Sequence, residues 1–268
     1  MADDSDRGAF IWYELMTPDV AASKAFYDAV IGWDIDGTNS VPDGSMDYRM
    51  INRGDGGFAG GVLAMSQDMV ANGGRPGWYG YVHVPDVDAA VAAIEAAGGQ
   101  RWMVQDMPGV GRMSLVSDPW GAPLYVMTPT PPPGNPEARS DVFSVDKPRH
   151  VRWNELWTSD AAGAFTLFGE VFGWHQAGEM DMGPMGKYRF LHHGDVAIGA
   201  IGDAQPEGDG PRWVTYIGVD DIDRAVCAVT EASGKVLQGP HVVPGGEFTA
   251  ICSDPHGIHF GIVGPRTK

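Results

Sequence analysis

Apolar and polar positions along the chain change period several times, and the changes come in a fixed order. Phe10 to Thr17 is rich in β-prone aromatic residues and stops at Thr17-Pro18-Asp19, which predicts a strand. Asp19 then stands as a cap before Val20, Ala25, Phe26, Ala29 and Val30, apolar positions at helical spacing that Gly32 brings to an end. Strands are expected near 48–53 and 59–64. The pattern then restarts with a strand over 78–84, Asp86 as cap and an alanine-rich helix over 87–97 stopped by Gly98-Gly99. Strands near 101–105, 113–117 and 124–128 complete it. This half of the chain therefore reads as βαβββ twice.

The second half repeats the first. Trp12-Tyr13-Glu14-Leu15-Met16-Thr17-Pro18-Asp19 returns as Trp153-Asn154-Glu155-Leu156-Trp157-Thr158-Ser159-Asp160, and Gly32-Trp33 returns at the same offset as Gly173-Trp174. With small gaps, Tyr48-Arg49 meets Tyr188-Arg189, Trp78 meets Trp213, and Asp86-Val87-Asp88 meets Asp221-Ile222-Asp223. Asp118-Pro119-Trp120-Gly121 meets Asp254-Pro255-His256-Gly257. Thr128 to Pro136 holds five prolines in nine residues, the composition of an extended strap. The expected organisation is an α+β chain of two tandem domains, 8–130 and 148–265, joined by a proline-rich linker, 131–147.

Charge narrows the partners. The balance of 18 basic against 35 acidic residues gives a formal net charge of −17, which repels phosphate backbones and anionic membranes, so nucleic acid is not expected as a partner. The acidic opening is unlike a secretory signal, and no apolar run approaches the ~18 residues of a membrane span; a cytoplasmic location is the expectation. Cys227 and Cys252 are read as a buried, reduced pair.

Several of these motifs carry a resemblance. The Leu-x-Thr-x-Asp opening with Phe26-Tyr27 and Gly32-Trp33, the Asp86-Val87-Asp88-Ala89-Ala90 helix start, and the closing Gly111-Arg112 and Asp118-Pro119-x-Gly121 segment resemble the vicinal oxygen chelate superfamily. That superfamily includes glyoxalase I, extradiol dioxygenases and bleomycin-resistance proteins. The resemblance implies paired βαβββ units forming a half-barrel around a ligand cavity. It also implies a divalent metal held by His, His and Glu from the first, fifth and last strands of a domain. Aligned on the shared motifs, those positions carry Trp12, Tyr79 and Tyr125 in the first half, and Trp153, Val214 and Gly261 in the second. Indole, valine and glycine offer no metal ligand, so neither metal nor other cofactor is expected.

If position 12 faces the cavity, strand alternation brings Glu14 and Met16 with it. Tyr79, Tyr81 and His83 follow from the fifth strand, and Pro123, Tyr125 and Met127 from the last. The second half offers Trp153, Glu155, Tyr216 and His259, with Gly218 and Gly261 expected to leave room. Glu14, Tyr79 and His83 are the candidate catalytic groups: a carboxylate beside an indole suits a general base, and a phenol or imidazole can support an oxyanion. Trp12, Tyr81, Tyr125, Arg112, Trp153, Glu155, Tyr216 and His259 are the candidate substrate-binding groups.

A plainer role competes, because a Trp-x-Glu-Leu-x-Thr strand present in both copies also suits architecture, its Glu bonded to backbone or to an arginine. Tyr48-Arg49 is read as a packing pair, His192-His193 as an exposed turn, and Met46, Met50, Met65, Met69, Met103, Met107 and Met113 as core filler.

The preferred reading is an enzyme doing acid–base chemistry, of isomerase or lyase type, on a small carbonyl or aromatic compound. The alternatives are a sequestering protein of the bleomycin-resistance type and, under another alignment of ligands, a metal-dependent glyoxalase or dioxygenase. Small molecules are the expected partners, with the two domains paired within the chain or between copies in a homodimer.

Overall fold

The computed structural model describes residues 6–135, 137–204 and 210–267; Pro136 of the linker and the first five residues of the acidic opening lie outside the described residues. Four βαβββ modules follow one another. The first is β1 (Phe10–Thr17), α1 (Val20–Ile31), β2 (Asp34–Ile35), β3 (Tyr48–Asn52) and β4 (Phe58–Ala64), followed by a short helix, α2 (Gln67–Ala71). The second is β5 (Gly77–His83), α3 (Val87–Ala96), β6 (Gln100–Met107), β7 (Gly111–Ser117) and β8 (Pro123–Pro129). The third is β9 (Val151–Thr158), α4 (Ala161–Phe172), β10 (Trp174–Asp181), β11 (Lys187–His193) and β12 (Val196–Asp203). The fourth is β13 (Arg212–Gly218), α5 (Ile222–Glu231), β14 (Lys235–Val242), β15 (Phe248–Ser253) and β16 (His259–Gly264). Two eight-stranded sheets result, in the orders β2-β3-β4-β1-β5-β8-β7-β6 and β10-β11-β12-β9-β13-β16-β15-β14.

One device starts the main helix of every module. Asp19, Asp86, Asp160 and Asp221 accept backbone N–H bonds from Ala22, Ala89, Gly163 and Arg224, each satisfying a helix-end donor worth about 1 kcal/mol. Gly32 and Gly173 close α1 and α4 at φ of 81° and 75°, a region where a side chain is strained. The buried face of α1 is Val20, Ser23, Phe26, Tyr27, Val30 and Ile31. Ala25 and Ala29, expected inside, face outward because the aromatic pair sets the helix's rotation.

The compact units of the structure are not the halves of the sequence. One unit, here the Glu14 unit, comprises Trp12–Tyr79, Asp141–Arg152 and Val214–Lys268; the other, the Glu155 unit, comprises the residues up to Ile11, Gly80–Ser140 and Trp153–Trp213. Each therefore takes one module from each repeat. In the Glu14 unit α1 packs on α5, around Phe26, Tyr27, Trp33, Trp78 and Phe260. In the Glu155 unit α3 packs on α4, beside a cluster of Phe10, Phe168, Phe172, Trp174 and Trp213. The segment Asp141–Arg152, from the end of the linker into β9, fastens the Glu14 unit. Buried Arg53 binds Asp141 at 2.6 Å, Trp33 Nε1 donates to the Arg149 carbonyl, and Arg152 binds Glu247 at 2.7 Å.

Several sequence expectations are corrected. Of the seven methionines expected in the core, only Met113 is buried; Met103 and Met107 lie on the edge strand β6, Met50 on β3, Met69 on the short α2, and Met46 and Met65 in connections. His192 and His193 belong to β11 rather than a turn, and His193 Nε2 meets the Arg7 carbonyl at 2.7 Å. Cys252 is buried but Cys227 is exposed, on the outer side of α5; both are free thiols. Among the described residues no helix is long and apolar enough to cross a membrane.

Candidate active site

In the Glu14 unit β1 and β4 run parallel with Glu14 opposite Gly61, and β3 pairs antiparallel with β4. A side chain on Gly61 would run into the Tyr48 ring, so the glycine lets that ring cross the strand towards β1. The Tyr48 hydroxyl accepts from Trp12 Nε1 at 2.7 Å and donates to the carboxylate of Glu14, which is 3% exposed. Burial, reinforced by the charge of Glu14, raises the Tyr48 phenol well above its ordinary 10. Tyr79 lies within the field of the same carboxylate. Burial first, and then Glu14, push its phenol up to about 12, partly offset by the positive charge of Arg75. Its hydroxyl donates to the Arg75 carbonyl at 2.8 Å. Both phenols thus keep their protons at neutral pH and serve as donors around one buried carboxylate.

The Glu155 unit repeats the arrangement and closes it. Trp153 Nε1 donates to the Tyr188 hydroxyl at 2.8 Å, and Tyr188 donates to Glu155 Oε2 at 2.6 Å. Trp157 Nε1 donates to Glu155 Oε1 at 2.6 Å, so each oxygen of this carboxylate is engaged. The Trp157 ring lies over Gly202, its partner in the parallel β9–β12 register, where a Cβ would come within 2.6 Å of it. The corresponding pair in the first half is Met16 and Leu63. A bulky residue has moved from one strand to its neighbour, and with it the indole donor; a thioether donates nothing.

The sequence offered backbone or an arginine as partner for each carboxylate; the partners seen include tyrosine hydroxyls and an indole. Tyr48, Tyr188 and Trp157 were missed as functional candidates. The recurrence of Tyr48 as Tyr188, in step with the recurring Trp-x-Glu strand, was the signal that could have found the tyrosines.

The remaining candidates are distributed as follows. Tyr81 and Tyr125 are buried in the Glu155 unit with their rings stacked 4.1 Å apart, and His83 ends β5 there with its backbone paired to Ala9. Arg112, in the same unit, bonds Asp88 at 2.7 Å and Asp106 at 2.6 Å beside an open groove of about 590 Å³ rimmed by Pro85, Pro108 and Pro131. In the Glu14 unit His259 is half-buried at the start of β16, and the Tyr216 ring covers Gly261. Gly218 is likewise filled, by the Arg152 side chain and the 147–148 backbone. Neither glycine leaves the room expected of it: both are small because a neighbour occupies the space.

The donor set does not fit the His, His and Glu metal site that the resemblance implies. At the first-strand positions Trp12 and Trp153 present N–H groups, which carry no available lone pair and are already given to tyrosines. Gly261 has no ligand atom to offer. Among the described residues no three His, Cys, Asp or Glu side chains gather closely enough to hold an ion. No step is therefore routed through a metal.

Known proteins with the same features are numerous. The profile described as "Glyoxalase-like domain" matches residues 12–127, and that of the "Glyoxalase/Bleomycin resistance protein/Dioxygenase superfamily" matches 147–262. "Putative glyoxylase CFP32" of Mycobacterium tuberculosis is 32% identical over 98% of this chain and 97% of its own. The "Anthracycline biosynthesis protein DnrV" of Streptomyces peucetius is 30% identical over 96% of this chain and 93% of its own. Among solved structures, the Mn(II)-bound glyoxalase from Novosphingobium aromaticivorans superposes with a TM-score of 0.62 at 17% identity, covering 97% of this chain and 83% of that one. A catechol dioxygenase, BphC, gives 0.63 at 16% identity, covering 97% and 87%. The structural likenesses show the fold; the profiles and the full-length relatives show the family. The chain belongs to the glyoxalase/bleomycin resistance protein/dioxygenase superfamily, as two tandem glyoxalase-like repeats.

Proposed function

We propose that the chain is an enzyme that moves a proton at a carbon next to a carbonyl, an isomerase- or lyase-type reaction on a small carbonyl or aromatic compound, with Glu14 as the base. The observation that carries this reading is the Trp12–Tyr48–Glu14 chain beside Tyr79: a buried carboxylate oriented by one phenol and adjacent to a second that keeps its proton. Glu14 takes the proton as the C–H bond breaks, and the electron pair moves into an enolate. Tyr79, exchanging its bond to the Arg75 carbonyl for one to substrate, donates to the enolate oxygen. Return of the proton to another carbon completes an isomerisation; departure of a group from the neighbouring carbon completes an elimination. Relatives named for glyoxylase and for anthracycline biosynthesis support a carbonyl or aromatic substrate class.

Glu155 is read differently. Its carboxylate is engaged at both oxygens within the chain, which favours an architectural role for the second copy.

The test is solvent deuterium exchange at carbons adjacent to carbonyls, followed by proton NMR across a panel of small carbonyl compounds. Glu14→Gln is expected to reduce exchange by about 10²–10⁴-fold, the usual share of a general base. Exchange that survives Glu14→Gln unchanged rejects the assignment. Binding from the panel with no exchange in either protein would support the sequestering alternative.

A further inference from the structure

The proposed reaction leaves open what holds the rest of the substrate, and among the described residues one arginine of the Glu14 unit is not engaged by the protein itself. Nearly every arginine among the described residues is spent on the protein itself. Arg49, Arg53, Arg101, Arg112, Arg139, Arg152, Arg189, Arg224 and Arg266 pair with carboxylates. Arg7, Arg149 and Arg212 donate to backbone carbonyls. Among the described residues Arg75 is the one arginine whose guanidinium makes neither kind of bond, on a chain with 35 acidic residues available to pair it. It stands in the exposed connection between α2 and β5, and its carbonyl holds the Tyr79 hydroxyl at 2.8 Å. The backbone that carries the guanidinium thus lies within hydrogen-bond reach of the phenol expected to meet the enolate.

We propose that Arg75 is the anion-recognising residue of the Glu14 site, and that the substrate is a carbonyl compound bearing a carboxylate. A net charge of −17 would otherwise repel such a molecule, and a local cation with a planar fork of donors matches a carboxylate in two bonds. Trp12 and Phe58, with ring centroids 6.5 Å apart in the same unit, add an aromatic surface. An aryl-bearing 2-oxo acid combines the three features. This inference rests on the Glu14 reading above for the position of the reacting carbon, but not for the charge preference itself.

The experiment compares 2-oxo-4-phenylbutanoate with its neutral ethyl ester, by calorimetric binding and by deuterium exchange at C3. The acid is expected to bind wild-type protein about tenfold more tightly than the ester, a preference that shrinks as salt is raised. Arg75→Gln is expected to bring the two affinities together, while Arg75→Lys keeps part of the gap. Equal affinities in wild type, tighter binding of the ester, or no binding of either probe overturns the proposal. The two readings fail separately. Acid preference without Glu14-dependent exchange sinks the reaction and leaves the anion site; Glu14-dependent exchange with acid and ester bound alike does the reverse.

Discussion

Replacing Phe168 by tyrosine is expected to stabilise the protein, which is uncommon for a change at a fully buried position. The reasoning comes from the repeat. In the Glu14 unit the Tyr27 hydroxyl accepts from Trp78 Nε1 at 3.0 Å and donates to Asp254 Oδ2 at 3.4 Å. In the Glu155 unit the corresponding residues are Phe168, Trp213 and Asp118. Without the hydroxyl, Trp213 Nε1 and Asp118 Oδ2 are buried and make no hydrogen bond. Each such group costs about 1–3 kcal/mol, whereas a bond to it contributes about 1. One added oxygen that serves both should yield about 1–3 kcal/mol after some repacking, or a rise of a few degrees in Tm for a chain of this size.

The pH dependence adds a second, independent readout. Burial raises the Asp118 carboxyl above its ordinary 3.8, against three backbone N–H bonds that lower it. A raised value means that the folded state holds the proton more tightly. The stability this contributes is fully present below 3.8 and is lost as pH rises through the folded value. The new phenol donates to the charged form and pulls that value down, so the advantage of Phe168→Tyr should be smallest in acid and grow towards neutrality. Urea denaturation from about pH 3 to 7 measures both, with Tyr27→Phe as the reciprocal variant, expected to lose stability of the same order. A Phe168→Tyr protein no more stable than wild type at pH 7, or a gain that ignores pH, would refute the argument.

Other expectations follow from the same structure. Arg53 is 2% exposed while its partners Asp55 and Asp141 are largely exposed, so the two sides of this cluster should respond unequally. Removing both aspartates strands a buried cation and is expected to cost about 3 kcal/mol in denaturation; Arg53→Met, which leaves no buried charge behind, should cost clearly less. The reverse order would show that the ion pair itself supplies the stability. Burial pushes the Cys252 thiol up to about 12, while Cys227 is exposed. A thiol-exchange reagent at pH 8 should therefore modify one cysteine rapidly and the second only on unfolding. Two fast thiols in the native chain would contradict the burial of Cys252.

The sequence alone determined the local structure and the duplication. Residues 10–17 and 87–96 are strand and helix because period-2 and period-3.6 patterns, Asp caps and Gly stops act over a few residues and leave their mark there. The family was legible for the same reason, since its motifs are those short junctions. The face shared by Trp12 and Glu14 followed from strand alternation. Only the tertiary structure decided the rest. Nothing in the order of the modules says that α1 packs on α5 and α3 on α4, because the apolar face of a helix records that it is buried and not against what. Tyr48 reaches Glu14 from two strands away only because Gly61 lets its ring pass, and Trp157 caps Glu155 only because Gly202 stands beside it. Tyr48 and Glu14, like Trp157 and Gly202, lie more than 30 positions apart, with no pattern in the intervening chain to announce their meeting. These pairings also separate two carboxylates that the sequence presents as equivalent.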